Sequence, residues 1–202
     1  MKIKTKQNGD KYITSVFGIA DYKNRNGRTY PYDVFKLSVT KLKDKVDKGN
    51  KDILVELSHP EDYIDIKKDA PNVIGYVSKI DYFDEPFEGK LGSCYATCEI
   101  TLFDVPMVYK IGDNHGVSTR AGGIIANGKV VRWDLKTIDI VEVPSCQVCY
   151  INESGSIKVD INDILLEYDN TTECECNIST LSTDDMDIVR NEIINKFVKL
   201  LK

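Results

Sequence analysis

Gly116-Val117-Ser118-Thr119-Arg120-Ala121-Gly122-Gly123 is the stretch around which the rest of the chain is organised. It follows a turn-rich Gly112-Asp113-Asn114-His115. A nucleophilic serine needs an accessible hydroxyl, a backbone that substrate can approach closely, and donors for a developing oxyanion. Ser118, followed by Arg120, Gly122 and Gly123, supplies residues of all three kinds. Read alone, such a Gly-rich loop is more often a plain turn or a phosphate contact. Catalysis requires a histidine and an acid elsewhere in fitting company.

The chain has two histidines. His59 stands at the end of a strand-like run, in Glu56-Leu57-Ser58-His59-Pro60, where Pro60 restricts the backbone. His115 lies three residues before Ser118, and a sequence neighbour that close often cannot aim at the hydroxyl. The acid is Asp139, in Thr137-Ile138-Asp139-Ile140-Val141-Glu142-Val143-Pro144-Ser145. An aspartate in so apolar a strand is costly unless paired. It reads either as a histidine-orienting group or as an edge-strand acid facing water.

Strand-like segments surround these residues. Residues 11–20 are β-branched and aromatic, and Asn24 to Pro31 is a turn cluster. Pro31 suits the start of a helix, in which Phe35, Val39, Leu42 and Val46 recur at helical spacing until Gly49-Asn50. Further strands are expected at 53–57, 73–80 and 94–103, with a short helix or strand at 106–111. Asn127-Gly128, between Ile124-Ile125 and Val130 to Val143, is a strong hairpin signal.

The tail differs. Residues 153–202 carry 11 acids and 5 bases, against 21 acids and 22 bases in the other 152 residues. The expected layout is a core domain over 1–151, an acidic, partly flexible linker over 152–183 and an amphipathic helix over 184–202, with Met186, Val189, Ile193, Phe197 and Leu200 in its apolar stripe. That helix either packs on the core or docks on a partner helix. A near-neutral body argues against nucleic-acid binding. No apolar run approaches the roughly 18 residues of a membrane span, and residues 1–6 lack a signal peptide's apolar stretch, so a cytoplasmic protein is expected. Cysteines at 94, 98, 146, 149, 174 and 176 include Cys146-x2-Cys149. Its apolar setting favours small core thiols over a zinc knuckle, so no metal is expected.

In this order the pieces resemble the prohead (capsid maturation) serine proteases of large tailed phages, which share the herpesvirus assemblin fold. Four blocks carry the resemblance: Asn26-Gly27-Arg28-Thr29-Tyr30-Pro31, Glu56-Leu57-Ser58-His59-Pro60, Gly116 to Gly122, and Asp139 to Ser145. Thr119 stands where the family more often has serine, and Ser58 where it more often has glycine. The tail beyond 150 is not covered.

The resemblance implies an α+β fold: a mostly antiparallel β-barrel core flanked by helices. It implies Ser118 as nucleophile, His59 as general base and Asp139 as third member, with Glu142 or Asp134 as alternatives for that last role. Arg120 and the amides near Gly122 and Gly123 would stabilise the oxyanion. The Asn26-Gly27-Arg28 block either shapes the active-site region or is a structural turn. No cofactor is implied. The implied substrates are scaffold and capsid proteins, cut inside the immature head in the host cytoplasm by a dimeric or larger enzyme. The family commonly prefers an aliphatic residue two before a cleaved glutamate, so Ile151-Asn152-Glu153 and Leu165-Leu166-Glu167 mark Glu153 and Glu167 as possible self-cleavage points. The competing classes are a non-catalytic capsid or scaffold protein retaining this fold, and a zinc module built on Cys146 and Cys149. An α/β-hydrolase is disfavoured, since no Gly-x-Ser-x-Gly elbow is present.

Overall fold

Period-two alternation of buried residues organises the first sheet. Lys11–Ile19 (β2) turns Ile13, Phe17 and Ile19 inward. It pairs antiparallel with Tyr95–Leu102 (β5), which pairs with Val73–Phe83 (β4), which pairs with the short Leu54–Glu56 (β3). Lys4–Thr5 (β1) borders β2, giving the order β1-β2-β5-β4-β3. This computed structural model describes residues 3–59, 66, 70–112 and 114–151. The linker over 152–183, the helix over 184–202, Glu153, Glu167, Cys174 and Cys176 lie outside the described residues.

The helix forms as the spacing predicts. Tyr32–Asp47 (α1) follows Pro31 and buries Phe35, Val39, Leu42 and Val46. Gly49, at φ +76°, supplies the left-handed residue that ends it. Phe35 stacks on Trp133 with ring centroids 5.6 Å apart, and Ser38 Oγ donates to the Trp133 carbonyl at 2.5 Å. After β5, Pro106–Lys110 is a single 3-10 turn.

The second sheet is the ribbon of Gly116–Ala126 (β6) and Lys129–Val141 (β7). Asn127 and Gly128 join them with φ of +49° and +73°, as a two-residue type I′ hairpin requires. The Gly116 to Gly123 stretch is therefore strand and not the loop expected from its glycines. Those glycines mark close backbone approach instead. A Cβ on Gly116 would lie 2.5 Å from the Cys149 carbonyl oxygen, and one on Gly123 would overlap the Arg132 carbonyl.

The expected closed barrel flanked by helices is corrected in two respects. The described residues contain one α-helix, and they form two sheets whose hydrogen-bond ladder does not close. β3 is three residues long, and beyond it the chain meets β7 through the single parallel bridge Leu57–Ile140. On the other side, Gly116 pairs with Tyr150 and the Val117 N–H donates to the Cys149 carbonyl, so the 144–150 segment lies beside the start of β6.

Candidate active site

The β3–β7 junction builds the site. Thr137 Oγ1 donates to the Leu54 carbonyl at 2.6 Å, and the Ser58 N–H donates to the Ile140 carbonyl at 2.7 Å. Covered in this way, residues 137–141 are all buried, and Asp139 has no exposed surface. Ser58 takes φ +73°, a left-handed conformation that favours glycine. It turns the chain so that the next residue, His59, reaches back to the ribbon.

His59 Nδ1 lies 2.7 Å from Asp139 Oδ2. A carboxylate can only accept here, so Nδ1–H donates and Nε2 presents its lone pair outward. The His59 side chain is 38% exposed. Asp139 is held from two further directions: Arg120 Nε donates to Oδ2 at 2.6 Å, and the Glu56 backbone N–H donates to Oδ1 at 3.0 Å. Arg120 Nη2 donates to Glu56 Oε2 at 2.5 Å, and Glu56 is itself fully buried. Desolvation works most strongly against the Arg120 cation. The hydrogen bonds and charges of Asp139 and Glu56 together outweigh it and hold its pKa above the ordinary value.

Ser118 is paired with Asp139 across the β6–β7 ladder, so the two side chains share a face. Ser118, 7% exposed, lines one depression of about 270 Å³ together with His59, Thr119, Arg28, Tyr30 and Val143. One wall of it is the 24–30 turn. Asn24 Oδ1 accepts from the N–H groups of Asn26 and Arg28, both at 3.0 Å, and Gly27 supplies φ +70°. Arg25 ties this turn to the 144–150 segment, donating from Nη1 to the Pro144 carbonyl at 2.9 Å and to the Tyr150 hydroxyl at 3.2 Å. The block thus serves as a structural turn and as a wall of the site. Burial pushes the Tyr30 phenol pKa up against the opposing effect of Arg28, so Tyr30 stays protonated at neutral pH.

The structure brings Ser118, His59 and Asp139 together. Arg120 is nearby but faces inward, bound by two carboxylates. Gly122 and Gly123 pair with Asp134 and Trp133, and at ~3.3 Å per residue they lie roughly 13–16 Å along the strand from Ser118. Their amides are too distant to meet an oxyanion formed there. Of the alternative third members, Glu142 is exposed and Asp134 pairs with Lys136 at 2.8 Å. His115 is occupied in its own turn, where Nδ1 accepts from the Gly112 N–H at 3.0 Å. Sequence reasoning gave Glu56 no role, although it is an acid inside the apolar run 53–57. That is the same signal that singled out Asp139. The thiols of Cys94, Cys98, Cys146 and Cys149 are free and buried, and among the described residues no three His, Cys, Asp or Glu side chains are grouped to hold a metal ion. No helix among the described residues is long and apolar enough to cross a membrane.

The fold is similar to that of a phage capsid protease. The bacteriophage T4 capsid assembly protease matches with a TM-score of 0.50 and 20% identity, over 66% of this chain and 82% of that one. No family model matches the chain, and no curated protein sequence does. At this identity the likeness is one of fold. It concerns the phage enzyme and not herpesvirus assemblin.

Proposed function

We propose that this protein is a serine endopeptidase of phage head maturation that cleaves scaffold and capsid proteins inside the immature head. The observation that carries the reading is the 2.7 Å contact of His59 Nδ1 with the buried Asp139, in the depression that Ser118 also lines. The fold likeness to a phage capsid assembly protease supports the setting.

In this reading His59 Nε2 takes the Ser118 proton as Oγ attacks the scissile carbonyl carbon. Asp139 stabilises the imidazolium that forms. Collapse of the tetrahedral adduct breaks the C–N bond, and Nε2–H protonates the leaving amine. Water, deprotonated by the same nitrogen, then hydrolyses the acyl-enzyme. Arg28, an exposed cation lining the depression with no ion pair among the described residues, suits the oxyanion better than the inward-facing Arg120. Self-processing after Glu153 or Glu167, and activity as a dimer, belong to the same proposal.

The test is intact mass against time for purified wild-type and Ser118→Ala protein, each alone and with a capsid or scaffold polypeptide. Cleavage by the wild type only, after a glutamate, is expected. Equal trimming in both preparations, or none in either with substrate present, would sink the reading.

A further inference from the structure

Behind His59 lies an interior set of three charges. Arg120 donates from Nε to Asp139 and from Nη2 to Glu56, and both carboxylates are fully buried. Asp139 Oδ2 is therefore shared by two claimants: the Arg120 guanidinium at 2.6 Å and the His59 ring at 2.7 Å. A carboxylate facing a single guanidinium is largely neutralised by it, and offers little field to a developing imidazolium. Glu56 supplies a second negative charge, so these three side chains, counted among the described residues, together carry a net charge of −1. The Glu56 backbone N–H also holds Asp139 Oδ1 at 3.0 Å, which fixes the plane of the carboxylate.

We propose that Glu56 is a positioning residue of the site. By binding Arg120 with its side chain and Asp139 with its amide, it keeps the Asp139 carboxylate aimed at His59 and electrostatically available to it. The charged groups of the described elements around the ring are Asp139 from β7 in contact with it, Arg120 from β6 and Glu56 from β3 behind Asp139, and Arg25 and Arg28 from the turn that lines the same depression. Only the consequence for catalysis rests on the protease reading. The charge balance at His59 does not.

The experiment is an NMR titration of the His59 ring in full-length Ser118→Ala protein, which needs no activity. With two histidines in the chain, a His115→Gln variant assigns the signals. Adding Glu56→Gln lowers the His59 midpoint by about one pH unit, since one buried charge is lost. Adding Arg120→Gln to that variant restores the net charge, and the midpoint returns to the Ser118→Ala value. A folded Glu56→Gln protein with an unmoved midpoint overturns the proposal. Should Glu56→Gln alone not fold, the Glu56→Gln/Arg120→Gln pair decides: an unchanged midpoint supports the proposal, and one displaced by a unit overturns it. In the Ser118-intact enzyme, Glu56→Gln lowers kcat about tenfold or more with KM unchanged, and the acid limb of the pH profile moves down with the midpoint. If the wild type cleaves no better than Ser118→Ala, the protease reading fails, and the NMR result still judges Glu56.

Discussion

Ser118 and Asp139 stand directly opposite each other across the β6–β7 ladder, and His59 bonds to the Asp139 side of that pair. The hairpin sets the serine–aspartate spacing, and the β3 corner adds the histidine. Two rigid pairings thus position three side chains from distant parts of the chain.

Asp139→Asn keeps the size of the side chain but presents an amide to Nδ1, favouring the wrong ring tautomer. In Ser-His-Asp enzymes that change lowers kcat by about 10⁴-fold. The same order is expected here, read as kcat on a peptide substrate. Glu56 still partners Arg120 in the variant, so a folded protein is expected by circular dichroism.

Arg28→Ala tests the oxyanion assignment. Loss of one donor to a tetrahedral intermediate typically costs about 10²–10³-fold in kcat. A loss of that size with KM little changed is expected from steady-state kinetics. Gly123→Ala, beside the Arg132 carbonyl and far along β6, should instead be read out in thermal stability.

Ser58→Gly relieves a side chain held at φ +73°. Non-glycine residues in the left-handed region cost of order 1 kcal/mol or more. The variant should gain up to about 1 kcal/mol in chemical denaturation, reduced by glycine's extra freedom when unfolded, and should retain activity. A loss of activity would show that the serine side chain does more than occupy the corner.

Stability should fall at alkaline pH. Burial pushes the Cys98 thiol from 9.0 up to about 12. A folded-state pKa raised above the unfolded value contributes stability that is complete below pH 9 and lost as pH rises toward 12. About three pH units correspond to ~4 kcal/mol. Denaturant midpoints between pH 8 and 11 check this decline, and slow alkylation of Cys98 in the native protein should accompany it.

Local chemistry was enough for the elements. Helical spacing from Phe35 to Val46, the Asn127-Gly128 turn and the β-branched run over 11–19 depend on neighbours a few residues away, and each appears as the pattern predicts. Motif chemistry likewise picked out Ser118, His59 and Asp139. Glycine is ambiguous without its surroundings. The same residues that suggest a turn at 116–123 permit the close approach of Cys149 and Arg132 to a strand. Among the described residues the ladder stays open, and the brevity of β3 and the path of 144–150 are set by packing at long range. Arg120's direction was also a tertiary decision: only the folded chain brings Glu56 and Asp139 to its two nitrogens, and buried carboxylates outcompete an external anion for a guanidinium. By itself the sequence determined which groups are the candidates. The tertiary structure decided which of them meet, because hydrogen-bond geometry and buried charge act through space and not along the chain.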